Sequence, residues 1–154
     1  MKKLLLVVVA VMGFAFAANA QNNAIGVRLG GGQGYNAELS FQKGLGVNRL
    51  EVDLGWHNYH ESSSFSLAAL YQFHQEIAAL PNLGWFVGAG GKLNYWSAAT
   101  NNNVGFGIVG QAGLDYHFNA IPLQLSLDIR PCFYLVPSTD FHWGDIALGI
   151  RYVF

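Results

Sequence analysis

The decapeptide PLQLSLDIRP, residues 122–131, decides how the whole chain is to be read. Leu123, Leu125, Leu127 and Ile129 alternate with Gln124, Ser126, Asp128 and Arg130 without a break. An apolar–polar alternation of period two is the mark of a β-strand with two unlike faces. The alternation alone leaves open which face meets water. Leucines packed into a core make an ordinary exported β-protein, whereas leucines turned to lipid make a membrane barrel with a polar interior.

The same pattern recurs along the chain. It predicts eight strands, at 24–32, 35–42, 48–56, 65–74, 84–96, 104–118, 123–135 and 142–154. Between them lie Gly/Asn/Ser/Pro connections such as GGQGYN, KGLGVN, HNYHESSS, AATNNN and VPSTD, which are turn chemistry. Helical periodicity is absent beyond the N-terminal leader, although HQEIAAL has room for one helical turn. No linker, second domain or low-complexity tract interrupts the series.

The N-terminus reads MKKLLLVVVAVMGFAFAANA. Two lysines, an apolar run and the small residues Ala18 and Ala20 make a secretory signal peptide, cut near Ala20-Gln21. Residues 1–20 are then the leader and 21–154 a single barrel domain. Past the leader, no apolar run approaches the ~18 residues that a spanning helix needs. Yet mean hydropathy is positive, and charged residues are only 11% of the chain, well under the usual quarter. A net charge of −1 leaves no basic footprint for nucleic acid. The one cysteine, Cys132, has no partner for an internal disulfide and reads as a small packing residue.

Strand parity sorts the residues into two faces. One carries apolar side chains such as Val27, Leu39, Val52, Leu67, Val87, Ile108, Leu114 and Leu148. The other carries Arg28, Glu38, Arg49, Glu51, Asp53, Lys92, Asp115, Asp128, Arg130, Asp145 and Arg151, interleaved with Ser40, Gln72, His74, Asn94, Gln111, His117, Gln124 and many glycines. Apart from Lys2 and Lys3 the chain has six basic and nine acidic residues. Eleven of these fifteen fall on the polar face, and Lys43, Glu61, Glu76 and Asp140 fall in connections. None falls on the apolar face, which fits lipid, where Arg or Lys at the bilayer midplane costs ~2–4 kcal/mol.

Two arguments turn the apolar face outward. An eight-stranded barrel is just wide enough inside for side chains to fill it, and more than thirty large apolar side chains would not fit. The aromatics also fall into two groups. Trp56, Tyr95, Phe106 and Phe133 share one set of strand ends, and Phe41, Tyr71, Phe73, Trp85, Tyr116, Phe118, Tyr152 and Phe154 share the other. Paired aromatic belts are what a bilayer with two interfaces selects. The expected fold is an all-β, eight-stranded, antiparallel up-and-down transmembrane barrel with both termini periplasmic. Outer loops are expected near 33–36, 57–64, 97–103 and 136–141.

The C-terminus, ALGIRYVF, resembles the assembly signal of Gram-negative outer-membrane barrels in Gly149, Tyr152 and the terminal Phe154. Ala147 stands where that pattern has a polar residue. With the leader and the eight strands, the whole mature chain resembles the small OmpA/OmpX-type barrels. The resemblance implies the fold, an outer-membrane address and insertion by the barrel assembly machinery. Membrane lipids and lipopolysaccharide are the expected partners of a monomer, and no cofactor motif is found, so none is expected. The resemblance implies no single activity, because such barrels serve as adhesins, tethers, porin-like pores and lipid-modifying enzymes.

The polar face is the candidate site. Six acids against five bases suggest an internal ion-pair network that plugs the barrel and serves a non-catalytic, structural or surface role. A narrow ion path is the alternative, kept open by the glycines. HNYHESSS places His57, His60, Glu61 and Ser62 together, a grouping similar to that of barrel lipid A deacylases. Parity carried back from Phe65 puts His60 and Ser62 on the polar face, away from acyl chains, so the expectation is no enzyme. Two histidines in one loop are too few ligands for zinc. GGGQGYN lacks the following helix that a phosphate loop requires.

Overall fold

In a computed structural model the described residues are 23–32, 34–59, 62–97 and 102–154. They form β1 (Asn23–Gly32), β2 (Gly34–Leu45), β3 (Asn48–Tyr59), β4 (Ser62–Glu76), β5 (Leu83–Ser97), β6 (Asn102–His117), β7 (Leu123–Val136) and β8 (Asp140–Val153). Each strand pairs antiparallel with the next, and β1 pairs with β8, so the sheet closes on itself. Closure removes the free edges that an open sheet leaves unpaired. A strand of 14 residues, such as β7, rising ~3.4 Å per residue and tilted ~40°, covers about 35 Å along the axis, more than the ~25 Å apolar band of a membrane barrel.

The strands run further than the alternation implied. β3 continues through Tyr59, β4 begins at Ser62, and β7 continues to Val136. The stretch 57–64 is therefore mostly a paired hairpin, with His57 opposite Ser64 and Tyr59 opposite Ser62. Beyond the apolar band both faces of a strand are wet, so pairing persists where the hydrophobic pattern has stopped. Lys43, expected in a connection, lies within β2 opposite Leu50, on the outward parity at the rim. At such a rim a long lysine stem can lie along apolar surface and keep its ammonium in water. HQEIAAL holds no helical turn: His74 to Glu76 belong to β4, and residues 77–82 form a tight connection closed by Leu80 N–H to the Ile77 carbonyl at 2.9 Å.

Two irregularities break the parity near the end away from the termini. Arg130 pairs with Asp145 but Cys132 pairs with His142, so Trp143 and Gly144 face the single residue Pro131. Gly144 has φ 84°, and a Cβ there would run into the backbone of Arg130. This is a bulge with glycine in the left-handed conformation. It turns Phe141 and Trp143 outward as well as Ile146, and Trp143 is 78% exposed. A second shift, between Phe106 and Gly107, leaves Leu135 extra on β7. The belt at this end thus gains Phe141 and Trp143, and Phe65 joins it between Trp56 and Tyr95.

The outward side chains are exposed and apolar, including Val27, Leu39, Leu93, Ile108, Leu127 and Leu148. The buried side chains point inward and are mostly polar. One inward patch is apolar: Ala68, Leu70, Val109 and Cys132 pack together, with Tyr134 against them. Cys132 is thus a buried packing group.

Candidate functional site

The polar face converges on the barrel axis as one connected network. Arg130 of β7 reaches across to β2 and β3. Its Nη1 donates to Glu38 at 3.0 Å, and its Nη2 donates to Glu51 at 2.7 Å and also to Asp53. Arg28 of β1 grips Asp128 with Nη2 at 2.6 Å and Nε at 3.1 Å, and gives Nη1 to Glu38 at 3.1 Å. Arg151 of β8 donates to Ser40 at 2.9 Å, Ser126 at 2.7 Å and Glu51 at 3.4 Å. Glu38 therefore bridges two arginines, and Arg130 serves three carboxylates. Planar guanidinium forks suit this use, because their five fixed donors can be shared out among several acids.

A second cluster lies nearer the termini. Arg49 of β3 pairs with Asp115 of β6, which also receives His74 Nε2 at 2.9 Å and Gln124 Nε2 at 3.0 Å. The guanidinium carbon of Arg49 sits 4.6 Å from the ring centre of the buried Phe86, a cation–π contact. His117 lies edge-on to His74 at 6.2 Å. Gln72 joins the clusters: it accepts from Arg49 Nε and donates to Glu51 at 2.9 Å. Glu51 gathers the most donors, from Arg130, Arg151, Gln42, Gln72 and Gln111. The glutamines and Ser40 and Ser126 were on the polar parity but carried no charge to mark them. They supply the neutral hydrogen bonds that buried carboxylates need.

Two expected members stand apart. Lys92 lines the interior without an ion pair within 4 Å among the described residues. Asp145 is paired by backbone with Arg130, and its side chain is outside the described set.

The glycines, which suggested spare room, lie under large neighbours. A Cβ on Gly113 would come within 2.7 Å of the Phe86 ring, and one on Gly105 within 2.6 Å of the Trp96 ring. At the level of Glu51 the inward side chains Ser40, Leu70, Gln72 and Val109 are all fully buried. A cavity of about 820 Å³ opens at the termini end over Arg49, His74 and Gln124. Another of about 420 Å³ opens at the opposite end over Arg130 and Glu38. The ion-paired layer lies between them.

Among solved structures, the N-terminal β-barrel domain of OprF from Pseudomonas aeruginosa matches 88% of this chain and 100% of its own, with a TM-score of 0.70 and 15% identity. Neisserial surface protein A matches 86% of this chain and 95% of its own, with a TM-score of 0.61 and 14% identity. The chain has the fold of the small OmpA/OmpX-type outer-membrane barrels. No family model matches the sequence, and no curated protein matches it.

In this barrel the remaining candidate residues fall as follows. Of the His/Ser grouping, His60 and Glu61 lie outside the described residues, and Ser62 begins β4. Among the described residues no three His, Cys, Asp or Glu side chains are arranged for a metal ion. In the C-terminal motif Gly149 faces inward beneath Arg151 and Ser126. Tyr152 is 55% exposed on the outward belt, and Phe154 stacks on it at 6.3 Å between ring centres. The last residue is also hydrogen-bonded into the seam: Phe154 N–H donates to the Asn23 carbonyl at 2.9 Å, and Asn23 N–H to the Phe154 carbonyl at 3.1 Å.

Proposed function

We propose that this chain is an outer-membrane protein of non-catalytic, structural or surface-interaction role, with a lumen closed by its own side chains. Residues 1–20 export it. Residues 21–154 lie as a monomer in the outer membrane with the termini in the periplasm, contacting membrane lipids and lipopolysaccharide through the apolar face. Gly149, Tyr152 and Phe154 engage the assembly machinery during insertion. The observation that carries the closed lumen is Arg130, 4% exposed, spanning the axis to Glu38, Glu51 and Asp53. A buried guanidinium with three carboxylates is a brace, and moving it would leave Asp53 without an ion-pair partner among the described residues.

The test is electrical. Refolded protein in planar bilayers should give no steady single-channel conductance, and proteoliposomes should show no sugar-driven swelling. Reproducible conductance steps that change size in Arg130→Ala would overturn the closed lumen and make the protein a narrow pore.

A further inference from the structure

The cavity at the end away from the termini is blind. Arg130, fixed by Glu38, Glu51 and Asp53, forms its floor, with Cys132 beside it. Its volume of about 420 Å³ lies within the ~300–1,000 Å³ of small-molecule sites. Its polar groups are less committed than those of the layer beneath. Lys92 lines it without an ion pair within 4 Å among the described residues. Glu38, 6% exposed, accepts from both arginines at Oε2, and among the described residues its Oε1 has no hydrogen bond. Asn94, 7% exposed, donates Nδ2 to the Tyr134 hydroxyl at 2.6 Å, and its buried Oδ1 has no partner among the described residues.

The wall of the cup is aromatic. Trp96 follows Asn94 on the inward parity of β5, and its ring lies against Gly105, where a Cβ would come within 2.6 Å of it. The Tyr134 ring lies 6.4 Å from Trp96 and 5.5 Å from His142. Two free acceptors call for O–H donors, and the ammonium calls for lone pairs. Adjacent hydroxyl groups supply both, while aromatic faces favour an apolar C–H surface on the same molecule. A ligand with a second carboxylate would meet Glu38, and one with an amine would meet Lys92. We propose that this cup is a binding site for a neutral pyranose sugar, with Lys92, Glu38 and Asn94 reading the hydroxyls and Trp96 stacking on the ring.

This goes beyond the outer-membrane reading and is tested independently of it, on protein refolded in an amine-oxide detergent that carries no sugar. Methyl β-glucoside, methyl β-galactoside and N-acetylglucosamine are titrated to about 100 mM, with tryptophan fluorescence and the Trp96 indole N–H resonance as readouts. At least one sugar should give a saturable change with a Kd of about 1–30 mM. Lys92→Met and Trp96→Leu should each weaken it about tenfold, the worth of one hydrogen bond or stacking contact. Both lie outside the Arg130 brace, and a mobility difference between boiled and unboiled samples verifies that each is folded. No saturable response to any of the three sugars would overturn the proposal. So would an unchanged affinity in both folded variants, or tighter binding of glucuronate or palmitate than of every neutral sugar.

Discussion

Replacing Arg130 with methionine should be the most damaging single change in the interior. The side chain is 4% exposed and donates to Glu38, Glu51 and Asp53. The loss falls unequally. Glu38 keeps Arg28 at 3.1 Å, and Glu51 keeps Arg151 and three glutamines. Among the described residues Asp53, 1% exposed, has Arg130 as its sole ion-pair partner, and its Oδ1 has no hydrogen bond. Removing one partner of a buried pair costs ~3–5 kcal/mol because the other charge is left uncompensated. Arg130→Met should therefore lose about 3–5 kcal/mol in urea titrations of the protein in lipid vesicles, with the slope unchanged. If the stranded charge is the cause, Arg130→Met/Asp53→Leu should recover most of the loss, to within about 2 kcal/mol of the parent, because one acid fewer then needs compensation. A single mutant within about 1 kcal/mol of the parent, or a double mutant no better than the single, would refute the brace.

The faces should respond in opposite senses. Leu127→Arg, at a site 53% exposed on the outward face, should cost ~2–4 kcal/mol in the same titrations. Ser126→Ala, which removes the 2.7 Å acceptor of Arg151, should cost about 1 kcal/mol, and the reverse order would show the faces to be misassigned. Gly113→Val should lose about 3 kcal/mol or more in the same titrations, because a Cβ there would stand 2.5 Å from the Leu127 carbonyl oxygen and 2.7 Å from the Phe86 ring, and adding Phe86→Ala should recover little of the loss, since the backbone clash stays. Deleting Phe154 should lower the amount of heat-modifiable protein in outer-membrane fractions, and unchanged levels would show that the terminal motif plays no part in assembly.

The alternation around PLQLSLDIRP is legible because a closed barrel has one constraint per residue, in or out, and period two expresses it directly. Strand number, order and facing follow from it. Strand ends do not, since His57, Asn58 and Tyr59 pair with Ser64, Ser63 and Ser62 without any apolar pattern. Bulges are hidden for a related reason. Gly144 looks like any other glycine, yet it is the residue that lets Phe141 and Trp143 join the outward belt. Within the site, parity puts the charged residues on the axis but carries no information on partners. Arg130 meets acids from β2 and β3 because the strands tilt, which sets levels across the lumen that no single strand reveals. Leu70 and Val109 escape a polarity sort altogether, because an apolar side chain facing inward looks like a fault in the pattern.

The seam between β1 and β8 gives the interior a part in the order of assembly. Arg28 and its partner Asp128 are 100 residues apart, and Arg151 and Ser40 are 111 apart. Neither contact exists until the first and last strands have come together. A half-wound sheet would hold Glu38, Glu51 and Asp53 along an open gutter, with Arg28 and Arg151 on opposite, unjoined margins. Contacts between such distant residues form late, since the loop they close must first be brought round. The arginines at the two margins therefore act as a latch that engages only on a completed cylinder. A chain stalled before the eighth strand would lack one acid and one base of the polar parity, Asp145 and Arg151, so it would differ from the finished barrel in hydrated, unpaired charge and not in the net charge of that face.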